Sequence, residues 1–204
     1  MSFRIPSFLI FSWTRAIGFL SILFYKAIYQ SSFAILPPYS VWGGLKIYIS
    51  GDVSLSILRG FHCVSSELRS FFTLQGPTTI SALGGRVFIG EGVGINGSSI
   101  FSTKSVSIGA RSMIAPGCII CDTDSHHIDN PELRWTKKGP SQPIVIGADV
   151  WIGARTIVLK GVSIGDGTVV GAGSIVTKSL PANVLAAGVP ARVLRPLEGM
   201  PNEV

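Results

Sequence analysis

A chain of 204 residues that is 47% hydrophobic, only 14% charged and rich in glycine, at 24, reads as one domain with a sizeable core. Its formal net charge of +6 raises a nucleic-acid reading. The basic residues are scattered, with no Lys/Arg stripe and no interleaved aromatics, so the sign fits a polyanionic coenzyme or an anionic membrane surface better than nucleic acid.

Residues 1–40 are made of different material from the rest. From Ser7 to Leu36 the text is almost wholly apolar, broken by Arg15 and Lys26, and the first fifty residues contain four basic side chains and no Asp or Glu. The run between those two cations, Ala16 to Tyr25, is shorter than the ~20 residues a bilayer crossing takes, and no small-x-small cleavage site marks a signal peptide. The pattern predicts a hydrophobic basic helical segment stopped by Pro37 and Pro38, which cannot donate a backbone hydrogen bond. Two readings stay open: an interfacial helix on the inner face of the plasma membrane, or a helix packed on the end of the fold or a neighbouring subunit.

Residues 41–180 carry a six-residue recurrence. It is faint from Val41 to Ser81, where Ile49 and Leu55 are spaced correctly and His62, in an apolar setting, reads as structural. Clear repeats begin at Leu83 and run through Ile89 and Ile95, with Val87, Val93 and Ser99 in a small fifth slot; Ile108, Ile114 and Ile120 follow one residue out of phase. The pattern is most regular from Ile146 through Ile152, Val158, Ile164 and Val170 to Val176, with Val150, Thr156, Val162, Thr168 and Ser174 in the fifth slot. A six-residue step fits neither a helix nor one long strand. It fits short strands joined by turns, three steps to each coil of a parallel β-helix, with Gly147, Gly153, Gly165 and Gly171 at the bends.

One stretch, residues 121–142, has no such period. A loop this long inside a compact repeat is usually functional, and it contains His126 and His127. Cys118 and Cys121 precede it with Cys-x-x-Cys spacing, but both occupy small slots of the repeat, so packing is favoured over zinc. With Cys63 the cysteines number three, an odd count that argues against a disulfide framework and for a reducing, cytoplasmic compartment. Residues 181–204 leave the period at Pro181, Pro190 and Pro196, as a non-repeating cap and tail would.

The repeat, the loop Asp122 to Asp129 (DTDSHHID), Val150 to Gly153 (VWIG), Gly171 to Lys178 (GAGSIVTK) and Ala186 to Arg195 (AAGVPARVLR) together resemble the hexapeptide-repeat acyltransferases, in particular the galactoside, maltose and nodulation O-acetyltransferases and their cell-surface polysaccharide branch. The resemblance implies an all-β fold, a left-handed parallel β-helix. Strand crossovers elsewhere are right-handed, so the hand comes from the resemblance alone. It also implies acetyl-CoA as co-substrate, a carbohydrate acceptor, a homotrimer with active sites between subunits, and no metal.

Residue by residue, the resemblance assigns the general base to His126, with His127 as second choice, and the oxyanion donor to the Ala154 backbone N–H. Trp151, Ala154, Ala172, Thr177, Lys178, Arg192 and Arg195 fall on coenzyme contacts. Asn96, in the segment Ile89 to Asn96 (IGEGVGIN), falls on the acceptor. The chemistry is self-consistent: a sugar hydroxyl needs its proton removed as it attacks, which an imidazole does near neutral pH, and clustered cations suit a phosphate-rich ligand. The expected function is O-acetylation of a sugar in cell-surface polysaccharide or lipid-linked glycan synthesis. The alternatives are an amino-sugar N-acetyltransferase and a non-catalytic scaffold. A metal-dependent hydratase would need three spaced histidine ligands, and two of the three histidines here are adjacent.

Overall fold

The computed structural model describes residues 33–50, 54–65 and 76–198; the expected N-terminal helix falls outside these residues up to position 32. Phe33–Ile35 and Tyr39–Gly43, in a stretch expected to be helix up to Leu36 and solenoid only from Val41, are strands. Strand is therefore already present at Phe33, eight residues before the expected solenoid start at Val41.

Short strands follow one another in threes. The first coil is β1 (Phe33–Ile35), β2 (Tyr39–Gly43) and β3 (Leu45–Ser50); the second is β4 (Ser54–Ile57), β5 (Phe61–Ser65) and β6 (Thr78–Leu83). The third is β7 (Arg86–Ile89), β8 (Gly94–Asn96) and β9 (Ser99–Ser102); the fourth is β10 (Ser105–Ile108), β11 (Met113–Ile114) and β12 (Ile119–Cys121). The fifth is β13 (Ile144–Ile146), β14 (Trp151–Ile152) and β15 (Ile157–Val158); the sixth is β16 (Ser163–Ile164), β17 (Val169–Val170) and β18 (Ile175–Val176). Every third strand joins the same parallel sheet, which gives three flat faces: sheet A (β1, β4, β7, β10, β13, β16), sheet B starting at β2, and sheet C starting at β3. The described residues end with β19 (Val184–Gly188), parallel to β17 on sheet B, and β20 (Ala191–Pro196), which turns back antiparallel on β19. This hairpin covers the open edge of sheet B, which otherwise would expose unpaired backbone groups.

The interior is built of aliphatic columns in register, such as Ile57, Ile89, Ile108, Ile146 and Ile164 on sheet A and Ile80, Ile100, Ile120, Val158 and Val176 on sheet C, all buried. Each such side chain contributes about 1.5–3 kcal/mol of transfer free energy. The small fifth slots are also buried, and their hydroxyls tie one coil to the next. Thr168 Oγ1 donates to the Pro181 carbonyl at 2.6 Å, and Ser112 Oγ donates to the Gly147 carbonyl at 2.8 Å.

Two details of the repeat differ from the sequence reading. Leu83 is only half-buried, because the inward positions of β6 are Ile80 and Ala82; Ser99 is exposed and Ser98 takes the buried slot. The one-residue phase change resolves into two events. The corner after β8 is one residue short, with five positions from Ile95 to Ile100, and the corner after β9 is two residues long, with eight from Ile100 to Ile108.

Candidate active site

The outer face of sheet B carries a groove of about 760 Å³. Strand alternation sends one residue per coil outward, so register stacks Ser40, His62, Gly94, Met113, Trp151, Val169 and Leu185 in a column along this face. Beside it, Asn96, Ala115, Gly153 and Gly171 line the same groove. Small residues there are obligatory: a Cβ on Gly153 would lie 2.6 Å from the Ala172 nitrogen. The Gly153 N–H donates to Val170 and the Arg155 N–H to Pro116, whereas the N–H groups of Ala154 and Ala172 make no hydrogen bond among the described residues and both residues line the groove. The site thus combines an apolar wall, a half-exposed indole and two available amide donors.

At the groove edge, Arg111 grips Asp149 through two bonds, Nε to Oδ1 at 2.7 Å and Nη2 to Oδ2 at 2.5 Å. These hydrogen bonds hold the Asp149 carboxyl below the usual carboxylate range. Both residues have positive φ, 58° and 56°, so the pair ties together two left-handed turns on successive coils.

The histidine loop is ordered. It leaves β12 and returns at β13, at the corner between sheets C and A, and its two limbs are bridged antiparallel at Thr123 with Ser141 and at His126 with Lys138. Its base is pinned by the Lys160 ammonium on Asp124 at 2.6 Å. Buried Asp122 accepts from Ser102 Oγ, Thr103 N and Lys104 N, each at 2.8 Å. The two histidines differ in what their rings can do. His126 Nδ1 lies 2.7 Å from the Arg134 carbonyl oxygen; a carbonyl only accepts, so Nδ1 carries the proton and Nε2 keeps a free lone pair. His127 Nδ1 instead accepts from the Asn130 N–H at 3.3 Å, which puts the neutral ring's proton on Nε2 and leaves no lone pair for another proton donor. The His126 ring is exposed and meets Trp135 edge-on at 5.4 Å.

The residues singled out from sequence divide into three places. Asn96, Trp151, Ala154 and Ala172 meet in the groove. Arg195 registers with Leu185 and Arg192 with Ala187, so both sit where β20 continues sheet B beyond the groove. His126 and His127 lie at the C/A corner, and Thr177 and Lys178 follow β18 on sheet C toward that corner. In a three-sided prism that corner is opposite sheet B, so the loop and the groove of one chain do not meet. His62, read from sequence as structural, is exposed and lines the groove; the alternation Phe61 in, His62 out, Cys63 in was the signal for it. The cysteines pack as their slots require: Cys118 Sγ donates to the Gly153 carbonyl and Cys121 Sγ to that of Thr123, both at 3.2 Å. Among the described residues no group of three or more His, Cys, Asp or Glu side chains converges on one point.

The family profile described as "Hexapeptide repeat of succinyl-transferase" matches residues 143–178. The galactoside O-acetyltransferase of Escherichia coli (strain K12) is 42% identical over 120 residues, 58% of this chain and 58% of that protein. WbbJ of Escherichia coli (strain K12), named for O-acetyl transfer in lipopolysaccharide biosynthesis, is 37% identical over 136 residues, 61% of this chain and 68% of that protein. The chain spans a little over half the length of the first relatives it matches, 58% and 57%. A solved galactoside acetyltransferase in complex with coenzyme A superposes with a TM-score of 0.53 at 27% identity, covering 97% of this chain and 86% of that one. With its three parallel sheets and stacked aliphatic columns, the chain belongs to the hexapeptide-repeat acetyltransferase family, whose fold is the left-handed β-helix.

Proposed function

We propose that this chain transfers an acetyl group from acetyl-CoA to a sugar hydroxyl, in the synthesis of a cell-surface polysaccharide or lipid-linked glycan. The groove suits the coenzyme's thin, uncharged arm, with Arg192 and Arg195 at the end where β20 closes the sheet, suited to its phosphates. When bound, the thioester supplies an already activated acetyl group. The Ala154 N–H is the donor to its carbonyl oxygen as charge builds there. His126 takes the proton of the attacking hydroxyl on Nε2 as the ester C–O bond forms and returns it to the coenzyme sulfur as the C–S bond breaks, and the Arg134 carbonyl holds the ring in that tautomer. The single observation that carries the assignment of the base is the difference at the two Nδ1 atoms.

Because the loop corner faces away from its own groove, we infer that the loop of one subunit serves the groove of another, in a homotrimer. The apolar, acid-free character of residues 1–36 supports peripheral association of this assembly with an anionic inner leaflet. His126→Ala should lower turnover about a hundredfold to ten-thousandfold with acetyl-CoA affinity unchanged by calorimetry, and His127→Ala much less. A dead His127→Ala beside an active His126→Ala would reverse the assignment.

A further inference from the structure

We propose that His62 and the notch above Gly94 bind a second sugar unit of the acceptor, so that the preferred acceptor is a disaccharide or longer. This rests on the acetyl-transfer reading above. The column on sheet B runs Ser40, His62, Gly94, Met113, Trp151. Gly94 interrupts it: a Cβ built there meets nothing within 4 Å, so the glycine leaves an open depression between His62 and Met113.

Ser40 Oγ lies 2.6 Å from His62 Nδ1 and anchors the ring. Nε2 makes no hydrogen bond among the described residues, nor does the side-chain amide of Asn96, two residues beyond Gly94 on the same strand and on the same face. An unpaired imidazole nitrogen and an unpaired carboxamide at the rim of a depression with an apolar methionine wall match a pyranose, which offers hydroxyls at its edge and C–H bonds on its face. Distance separates this notch from the chemistry. Neighbouring coils are about 4.8 Å apart, so the strand of His62 lies three steps, about 14 Å, from that of Trp151. One sugar ring with its hydroxyl at Ala154 does not reach His62; a second ring does.

The test is steady-state kinetics of the full chain, following release of the coenzyme thiol, with p-nitrophenyl β-galactoside and α-glucoside against the corresponding lactoside and maltoside. For wild type, the better disaccharide should have a KM at least tenfold below its monosaccharide. His62→Ala should raise the disaccharide KM about tenfold, the worth of one hydrogen bond, and leave the monosaccharide KM and the acetyl-CoA KM within twofold. Gly94→Val, which fills the depression on a strand that tolerates a side chain, should erase the disaccharide advantage. Equal KM values for mono- and disaccharides in wild type, or an unchanged preference in both variants, overturn the proposal while leaving acetyl transfer intact. A His62 that served only the fold would lower the melting midpoint and keep the preference, which also overturns it. If no glycoside is acetylated although acetyl-CoA binds, the sugar-acceptor reading fails and this proposal falls with it.

Discussion

A side chain that is absent does as much here as those that are present. Gly139 sits against the backbone of His126 so closely that a Cβ would overlap the His126 carbonyl oxygen. Gly139→Ala must therefore push the histidine limb of the loop outward. Since misplacing a catalytic group by about 1 Å can cost on the order of a hundredfold, turnover should fall tenfold to a hundredfold with acetyl-CoA affinity unchanged. The thiols give a second residue-scale expectation. Burial pushes the Cys63, Cys118 and Cys121 thiols up, so the folded chain holds those protons where the unfolded chain releases them. Stability is then undiminished below the ordinary thiol range and falls as pH rises through and above it. Denaturant midpoints from pH 7 to 10 should decline at the alkaline end, and a Cys63→Ser, Cys118→Ser, Cys121→Ser variant should lose that decline.

Among the elements, the loop between β12 and β13 is organised from its base. Asp122 is buried and accepts four hydrogen bonds from residues 102–104, the fourth from Thr103 Oγ1 at 3.2 Å. It therefore joins the corner of the third coil to the root of the loop on the fourth. Asp122→Ala leaves the Thr103 and Lys104 N–H groups without their acceptor, a cost of roughly 3 kcal/mol, while the Ser102 and Thr103 hydroxyls keep the Arg86 carbonyl and the Ser141 hydroxyl. The denaturant midpoint should fall accordingly, and backbone amides of residues 122–126 should lose hydrogen-exchange protection before those of the β16–β18 coil. Uniform loss of protection over both regions would mean that the loop and the coils open as one unit.

For the whole molecule, the prism geometry makes a prediction that no single subunit can satisfy alone. If loop and groove come from different chains, a His126→Ala chain and an Ala154→Pro chain, which lacks the N–H donor of the groove, should each be inactive and should complement when refolded together. Random mixing of equal amounts leaves about a quarter of the sites with both wild-type parts, so about that fraction of wild-type activity should return. Light scattering should give three times the 21.6 kDa chain mass. Mixed samples no more active than either parent would sink the shared site. Deleting residues 1–32 should release the protein from anionic vesicles and leave acetyl-CoA binding in place.

The sequence by itself determined the architecture, because a β-helix is written in local spacing. Each inward Ile or Val, each small fifth slot and each corner glycine is set by neighbours within six residues, and the motifs that carry the resemblance lie in that regular part. The early coils were illegible for the same reason: β5 runs Phe61 in, His62 out, Cys63 in, β6 buries Ile80, Ser81 and Ala82 in succession, and without a clear six-residue phase both His62 and the strand at Phe33 were missed. The hand of the coil is not in the spacing at all, and the resemblance carried it against the usual right-handed preference. Only the tertiary structure decided which residues share a face. Register across five coils brings His62, Asn96, Trp151 and Ala154 into one groove and turns the histidine loop away from it, because which corner a loop occupies depends on the count of strands before it. The tautomer of His126 was likewise beyond the sequence, since the Arg134 carbonyl that fixes it is brought there only by the fold of the loop.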